Sequence, residues 1–290
     1  MRPIDVAPEL DERRDMTVED IARLANRCRQ VLLEMIYRAG SGHVGSSLSC
    51  IDLLSALRFD QMRWAAGRSR TGSDVFVLSK GHAVPAWYAA LIVAGDLSPE
   101  WIGRLRRIDS PLQGHPDRTR CELVDVSTGA LGQGLSVAIG RAVAKRLKGE
   151  DSHVYCLVGD GECQEGQVWE ALMHAGARGL PGVTLLVDHN GSQNDGPVEH
   201  VLPSGSLPAK LQAFGWQVQE IDGHEHHAIR AALGAARRSP RPTALIAHTR
   251  KGHLGGDRVV LGGSHSGVLT REEFHAATDY LDAVAVEAAS

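Results

Sequence analysis

Six short β-rich runs punctuate the chain, at 75–78, 123–126, 154–158, 183–187, 216–221 and 244–247, with helical patterns between most of them. Strands that are apolar on both faces need cover on both faces, and a doubly wound parallel sheet with helices above and below supplies it. The expected class is therefore α/β, with a mostly parallel sheet and helices on both sides. One helix is especially well marked. Thr17 and Asp20 form a T-x-x-D start, Ile21, Leu24, Cys28, Val31, Leu32, Met35 and Ile36 recur at three- and four-residue steps, and Gly40 stands where a C-cap belongs. A further helix is expected from about Thr270, after a Gly-rich loop at 252–267.

At 290 residues the chain has ample length for a buried core, and it contains no repeat or Gly/Ser/Pro-rich linker that would divide it. Residues 1–16 read as a flexible, polar lead-in and 17–290 as one domain. A net charge of −4 supplies no global positive field, so neither nucleic acid nor an anionic membrane is an expected partner. No apolar run is long enough to cross a bilayer, and the N-terminal stretch carries acids and prolines where a signal peptide has its apolar centre. A cytoplasmic location is expected. Five cysteines without a C-x-x-C pair suggest neither a disulfide framework nor a zinc site, and read as reduced, buried, small apolar residues.

In an open parallel sheet, ligands lie beyond the carboxyl ends of the strands. Gly159-Asp160-Gly161-Glu162 follows the run at 154–158, and Asp188-His189-Asn190-Gly191 follows the run at 183–187. Asp160 and Asn190 are thirty positions apart, one strand–helix–strand unit, which places a carboxylate and an amide oxygen at neighbouring strand tips. Magnesium favours oxygen ligands with only one or two carboxylates and fills its remaining positions with phosphate oxygens and water. Gly159 and Gly161 would let the backbone approach a diphosphate, and a helix beginning near Gln164 would aim its first amides the same way. A Gly-Asp-Gly turn followed by an unrelated Asn-Gly turn is the competing reading of these residues alone.

The run GDGECQEGQVWEALMHA at 159–175, with Asn190 beyond it, resembles the thiamine diphosphate signature of transketolases. SGHVGSSLS (41–49), LSKGHA (78–83), QGHPD (113–117) and STGALGQGLSVAIG (127–140) match the same family in the same order. The resemblance implies a thiamine-diphosphate-binding fold in which Asp160, Asn190 and the main-chain oxygen of Ser192 hold Mg2+ or another divalent cation. It also implies that Gly161, His82, Lys251 and His265 approach the diphosphate, beside Gly159. Gly129, Ala130 and Leu131 would meet the aminopyrimidine with Ser46 nearby, and Glu165 would link two active sites across a subunit interface. His43 and His115 match substrate histidines, with His265 as a third catalytic candidate. His224, His226 and His227 read as surface residues without a role.

Three departures stand out: Val44 replaces the proline of S-G-H-P, Ser192 and Asn194 occupy positions where other residue types are common, and Ser264-His265-Ser266-Gly267 replaces a Trp-His-Gly segment. Transketolases run to more than twice this length, so the chain resembles the N-terminal subunit of a split transketolase. Its partner would carry the pyrimidine-binding and C-terminal domains, with an α2β2 assembly acting on small sugar substrates. The α component of a 2-oxo-acid dehydrogenase and a catalytically silent thiamine-diphosphate-binding subunit are the alternatives. QGHPD and LSKGHA favour transketolase over the first, while Asp160, Asn190 and His43 oppose the second.

Overall fold

The computed structural model describes residues 16–64, 72–260 and 267–287. The lead-in expected at 1–16, apart from Met16, and the candidate His265 lie outside the described residues. The chain enters through α1 (Val18–Ala39), α2 (Val44–Ser49) and α3 (Ile51–Ala56), continues through β1 (Val75–Leu78) and α4 (Val84–Val93), and then α5 (Gln133–Leu147). Next come β2 (Val154–Gly159), α6 (Gly166–Ala177), β3 (Val183–His189) and a two-stranded ribbon of β4 (Ser192–Gln193) and β5 (Gly196–Pro197). The remaining elements are α7 (Val198–Val201), α8 (Leu207–Ala213), β6 (Gln217–Asp222), α9 (His226–Arg238), β7 (Thr243–His248), a second ribbon of β8 (His253–Gly255) and β9 (Arg258–Val259), and α10 (Arg271–Glu287).

The main sheet has the order β1-β2-β3-β7-β6 and is parallel throughout. Its faces alternate as the two-residue strand period requires. Val154, Cys156 and Val158 of β2 pack with Leu135 and Ile139 of α5, Val168 and Leu172 of α6, and Leu211 of α8. Tyr155 and Leu157 point the other way, into a core built from α1, α3, α4, α9 and α10. Helices on both faces explain why β1, β2, β3 and β7 could be apolar on both sides, whereas the edge strand β6, with Gln217, Gln219, Glu220 and Asp222, is half exposed.

α1 begins and ends as its sequence signals. Thr17 accepts from Asp20 N at 3.1 Å while the Asp20 carboxylate accepts from Thr17 N at 3.1 Å, and Gly40 closes the helix with φ 61°. Seven of its apolar residues, Ile21 through Ile36, are buried at the spacing the sequence displays. α10 starts one residue past Thr270, where Thr270 and Glu273 form a second reciprocal cap.

Two sequence expectations need correction. Residues 123–126 form turns, not a strand. Asp125 turns its carboxylate inward to accept from Phe76 N at 2.9 Å, so the segment flanks the outer edge of β1 through a side chain instead of a backbone ladder. Part of the loop expected at 252–267 is the β8–β9 ribbon, closed by the left-handed turn glycines Gly255 and Gly256.

Candidate active site

The parallel register brings the two polar strand tips together. Gly159 pairs with Asp188, so Asp160 and Asn190 each extend just beyond the sheet. Asp160 is buried, and its oxygens accept from Gly161 N at 2.9 Å and Gly191 N at 2.6 Å. Burial and the neighbouring Asp188 charge push its carboxyl above the usual range, against the pull of those two amides. The Asn190 side chain donates to Asp188 at 3.1 Å, while its oxygen accepts from Ser192 N at 3.2 Å. Lys251 closes the group by donating to the Ser192 carbonyl at 2.9 Å and hydroxyl at 3.1 Å. Burial, then the nearby Lys80 charge, lowers the Lys251 ammonium to about 8.

The first amides of the helix after Asp160 are arranged differently from the expectation. α6 starts at Gly166, and a 3-10 turn at Glu162–Gln164 precedes it. Cys163, Gln164 and Glu165 spend their N–H groups on Asp160, Gly161 and Glu162 carbonyls at 3.0–3.2 Å. Gly161 and Gly191 supply the amides to the carboxylate instead. Gly161 is required sterically as well, since a Cβ there would come within 2.9 Å of Gln193.

Three histidines gather beside this loop. The His43 ring lies 5.1 Å from that of His82 and 6.4 Å from that of His115, centroid to centroid. They arrive from α2's entry, from the 3-10 turn after β1 and from the loop at 113–117. Burial, followed by the charges of Arg106, His115, Lys80 and Lys251, lowers His43 to about 4. Burial, then Arg106, also lowers His115. Both imidazoles are neutral at pH 7. His115 borders an open pocket of about 540 Å³ formed with Arg106, Gln113, Gly114, Pro116, Asp117 and Ser127. Gly129 abuts the His115 ring, and Gly129, Ala130 and Leu131 are exposed. Ser46 is buried, and its carbonyl accepts from Lys80 at 3.1 Å. Glu165 is exposed and packs against Gly132, whose φ of 82° and closeness to the Glu165 Cβ, 2.8 Å from a built Cβ, both call for glycine.

Sequence reasoning missed the groups that brace these loops. Lys80 and Asp188 form a fully buried ion pair beneath the site, and Ser49 and Thr249 also donate to Asp188. Burial would raise the Asp188 carboxyl, but Lys80 and these hydrogen bonds hold it below the usual range. Glu162 is buried too. It accepts from the Ser79 hydroxyl, Gly132 N at 2.9 Å and Gly159 N at 3.1 Å, tying three of the recognised segments to one carboxylate. The acid in G-D-G-E was visible, but nothing in its spacing shows that it turns inward.

The histidines at 224 and 226 also differ from expectation, being largely buried around Asp52. His224 Nδ1 lies 2.9 Å and His226 Nε2 3.2 Å from the carboxylate, and Arg29 pairs with it at 2.5 Å. His227 sits in the first turn of α9. Ligating atoms of Asp52, His224 and His253 lie within 4.8 Å of one another. His224 Nε2 accepts from Arg250 N at 2.8 Å, however, so its proton sits on Nδ1 and points at Asp52. Together with Arg29, this commits Asp52 and His224 to a hydrogen-bonded network.

Comparison with known proteins accounts for the arrangement. Residues 21–282 match the family model described as transketolase, thiamine diphosphate binding domain. The chain belongs to that family. It is 39% identical over 265 residues to a 6-deoxy-6-sulfo-D-fructose transketolase subunit of Clostridium sp. (strain MSTE9), covering 91% of this chain and 96% of that protein. An apulose-4-phosphate transketolase subunit from Phocaeicola vulgatus is 38% identical over 264 residues, covering 90% and 94%. Against human transketolase the match is 39% over 232 residues, which is 79% of this chain but 36% of that protein. The crystal structure of Campylobacter jejuni transketolase superposes with a TM-score of 0.84 at 30% identity, covering 92% of this chain and 43% of that one. The transketolase resemblance, the α/β class and the assignment to a transferase are thereby borne out. Among the described residues, no helix of this transketolase-family chain is long and apolar enough to cross a membrane.

Proposed function

We propose that residues 17–290 form the diphosphate-binding domain of a two-component transketolase, transferring a two-carbon ketol unit from a ketose to an aldose. The observation that carries this reading is the convergence of Asp160, Asn190 and the Ser192 carbonyl at the strand tips, next to the His43–His82–His115 group. A carboxylate, an amide oxygen and a main-chain oxygen form a hard-oxygen donor set suited to Mg2+. The fit is supported by Asp160 itself, whose burial and proximity to Asp188 are offset only in part by two amides. A cation also already rests on the Ser192 carbonyl in the form of Lys251.

Thiamine diphosphate would supply the carbanion chemistry of carbon–carbon cleavage beside a carbonyl. The chain's part is to bind and orient. Asp160, Asn190 and Ser192 would hold the ion, and Gly159, Gly161, His82 and Lys251, with His265, would face the diphosphate. Ser46, Gly129, Ala130 and Leu131 would border the pyrimidine, and Glu165 would face the subunit interface. His43 and His115, neutral at pH 7, can donate to a ketose carbonyl and accept a hydroxyl proton, the exchange that ketol transfer needs. His265 is proposed as a third such group.

The partner subunit would supply the pyrimidine-binding and C-terminal domains in an α2β2 assembly. The near-complete coverage of two transketolase subunits, against about a third of human transketolase, supports this division. Those two relatives are named for a sulfonated and a phosphorylated sugar, which points to sugars with an anionic tail as the substrate class. Five buried thiols accord with work in the cytoplasm. The test assays this chain alone, the partner alone and the mixture, with Mg2+, cofactor, a ketose phosphate and an aldose phosphate. Activity only in the mixture, saturating near one to one, is the expected result; full activity from this chain alone would overturn the two-component reading.

A further inference from the structure

Arg106 is the sole non-glycine residue with a left-handed backbone among the described residues, at φ 61°. Such a conformation crowds the Cβ of an ordinary L-residue and is normally left to glycine, asparagine or aspartate. The loop fixes it: Arg106 N donates to Leu112 O at 2.8 Å, closing the chain between the 3-10 turn at Pro99–Arg104 and the segment that carries His115. What an arginine contributes there is visible at its other end. Its guanidinium lies over Gly114, where a built Cβ would come within 2.7 Å of Nε, and its Nη1 donates to the Ser41 hydroxyl at 2.9 Å. Gly114 directly precedes His115, and Ser41 lies two residues before His43. One side chain thus spans the two loops that deliver these imidazoles.

We propose that Arg106 is a positioning residue, whose guanidinium clamps the loop carrying His43 to the loop carrying His115 and so sets the spacing of the two imidazoles. The inference rests on the reading of those histidines as substrate groups. The flat fork is needed because it must pass over a bare glycine while its edge reaches a hydroxyl, a shape an ammonium lacks. The cation also acts on both rings through space. His43 is faced by Arg106, His115, His82, Lys80 and Lys251, and His115 by Arg106 and His43, with Asp117 on the same pocket wall.

Three substitutions test this in the assembled complex and in the chain alone. Arg106→Gly suits the left-handed backbone and should melt above Arg106→Ala. Its turnover should nevertheless fall on the order of 10²-fold, the scale of a misplaced reacting group, with little change in cofactor affinity. Arg106→Lys keeps the charge and should lose turnover while His115 titrates near its wild-type value. In Arg106→Gly the His115 titration, followed by NMR on the isolated chain, should move upward, and the acid limb of the turnover profile with it. Wild-type turnover in either Arg106→Gly or Arg106→Lys overturns the clamp. Should the wild-type complex lack ketol transfer, the substrate role of the histidines falls; the NMR titration and His43–His115 ring contacts in the variants then decide whether Arg106 holds the loops.

Discussion

Replacing Arg29 by Met keeps an apolar stem on the inner face of α1 and deletes the guanidinium that neutralises Asp52. The two side chains are 5% and 1% exposed, so water cannot take over the lost contact. Asp52 would keep His224 at 2.9 Å and His226 at 3.2 Å, while the His253 carbonyl would lose the Arg29 Nε donor at 3.3 Å. Stranding one partner of a buried ion pair costs about 3–5 kcal/mol, and the retained imidazoles favour the lower end, about 3 kcal/mol. That is a large share of the roughly 5–15 kcal/mol that holds a typical domain together.

Urea unfolding of the chain at pH 7 measures this loss, and its pH dependence checks the cause. In the wild type, burial would raise the Asp52 carboxyl, but Arg29 and the two histidines hold it well below the usual range. Its stabilising contribution is therefore present at neutral pH and disappears only as the solution is acidified through that depressed value. In Arg29→Met, burial gains the upper hand and the carboxyl rises. A group raised in the folded state favours folding when protonated, so the gap between variant and wild type should narrow as pH falls from 7 toward 4. Adding Asp52→Asn should restore part of the loss, with a coupling of about 0.5–3 kcal/mol. A loss below about 1 kcal/mol at pH 7, the scale of an exposed pair, or a gap that ignores pH, would refute the reasoning.

Asp160→Ala should abolish Mg2+-dependent binding of thiamine diphosphate while preserving the fold, as titration calorimetry on the assembled complex would register; unchanged affinity with a retained Mg2+ requirement would remove the metal assignment. His43→Ala and His115→Ala should each lower turnover by about 10²- to 10⁴-fold with much smaller effects on cofactor affinity, and equal losses in both would move them to the cofactor shell. Glu162→Gln places an amide donor opposite Gly132 N, Gly159 N or the Ser79 hydroxyl. It should cost about 1–3 kcal/mol in thermal or urea unfolding, and a neutral result would show that Glu162 does not brace the three loops.

The sheet and α1 were legible because their signals are local. Two-faced apolar runs specify a covered strand, and Thr17, Asp20 and Gly40 mark helix ends through bonds to residues three positions away. The tips of β2 and β3 were legible for a related reason, since a fixed unit length places Asp160 and Asn190 side by side. Residues whose partners are remote in sequence gave no such signal. Asp188 meets Ser49 and Lys80 across more than a hundred positions, and Asp52 meets His224 and His226 across a similar distance. Residues 123–126 misled because Leu123, Val124 and Val126 supply the β-forming side chains of a short strand while Asp125 bonds sideways.

That sideways bond also bears on how the molecule behaves at high concentration. In β1, Val75 N and Ser79 N pair inward with His153 O and Leu157 O at 2.9 and 2.8 Å, so Phe76 N and Leu78 O face away from the sheet. Asp125 takes the first, and the Thr128 hydroxyl donates to the second at 2.6 Å. An edge with its donors and acceptors left open is a template on which another chain can add a strand. Here two side chains from one loop occupy those positions, and the opposite edge, β6, carries Glu220 and Asp222. The loop between the segments bearing His115 and Gly129 thus doubles as a guard against edge-to-edge aggregation, and Asp125→Ala should scatter more light than the wild type when both are stored at high concentration.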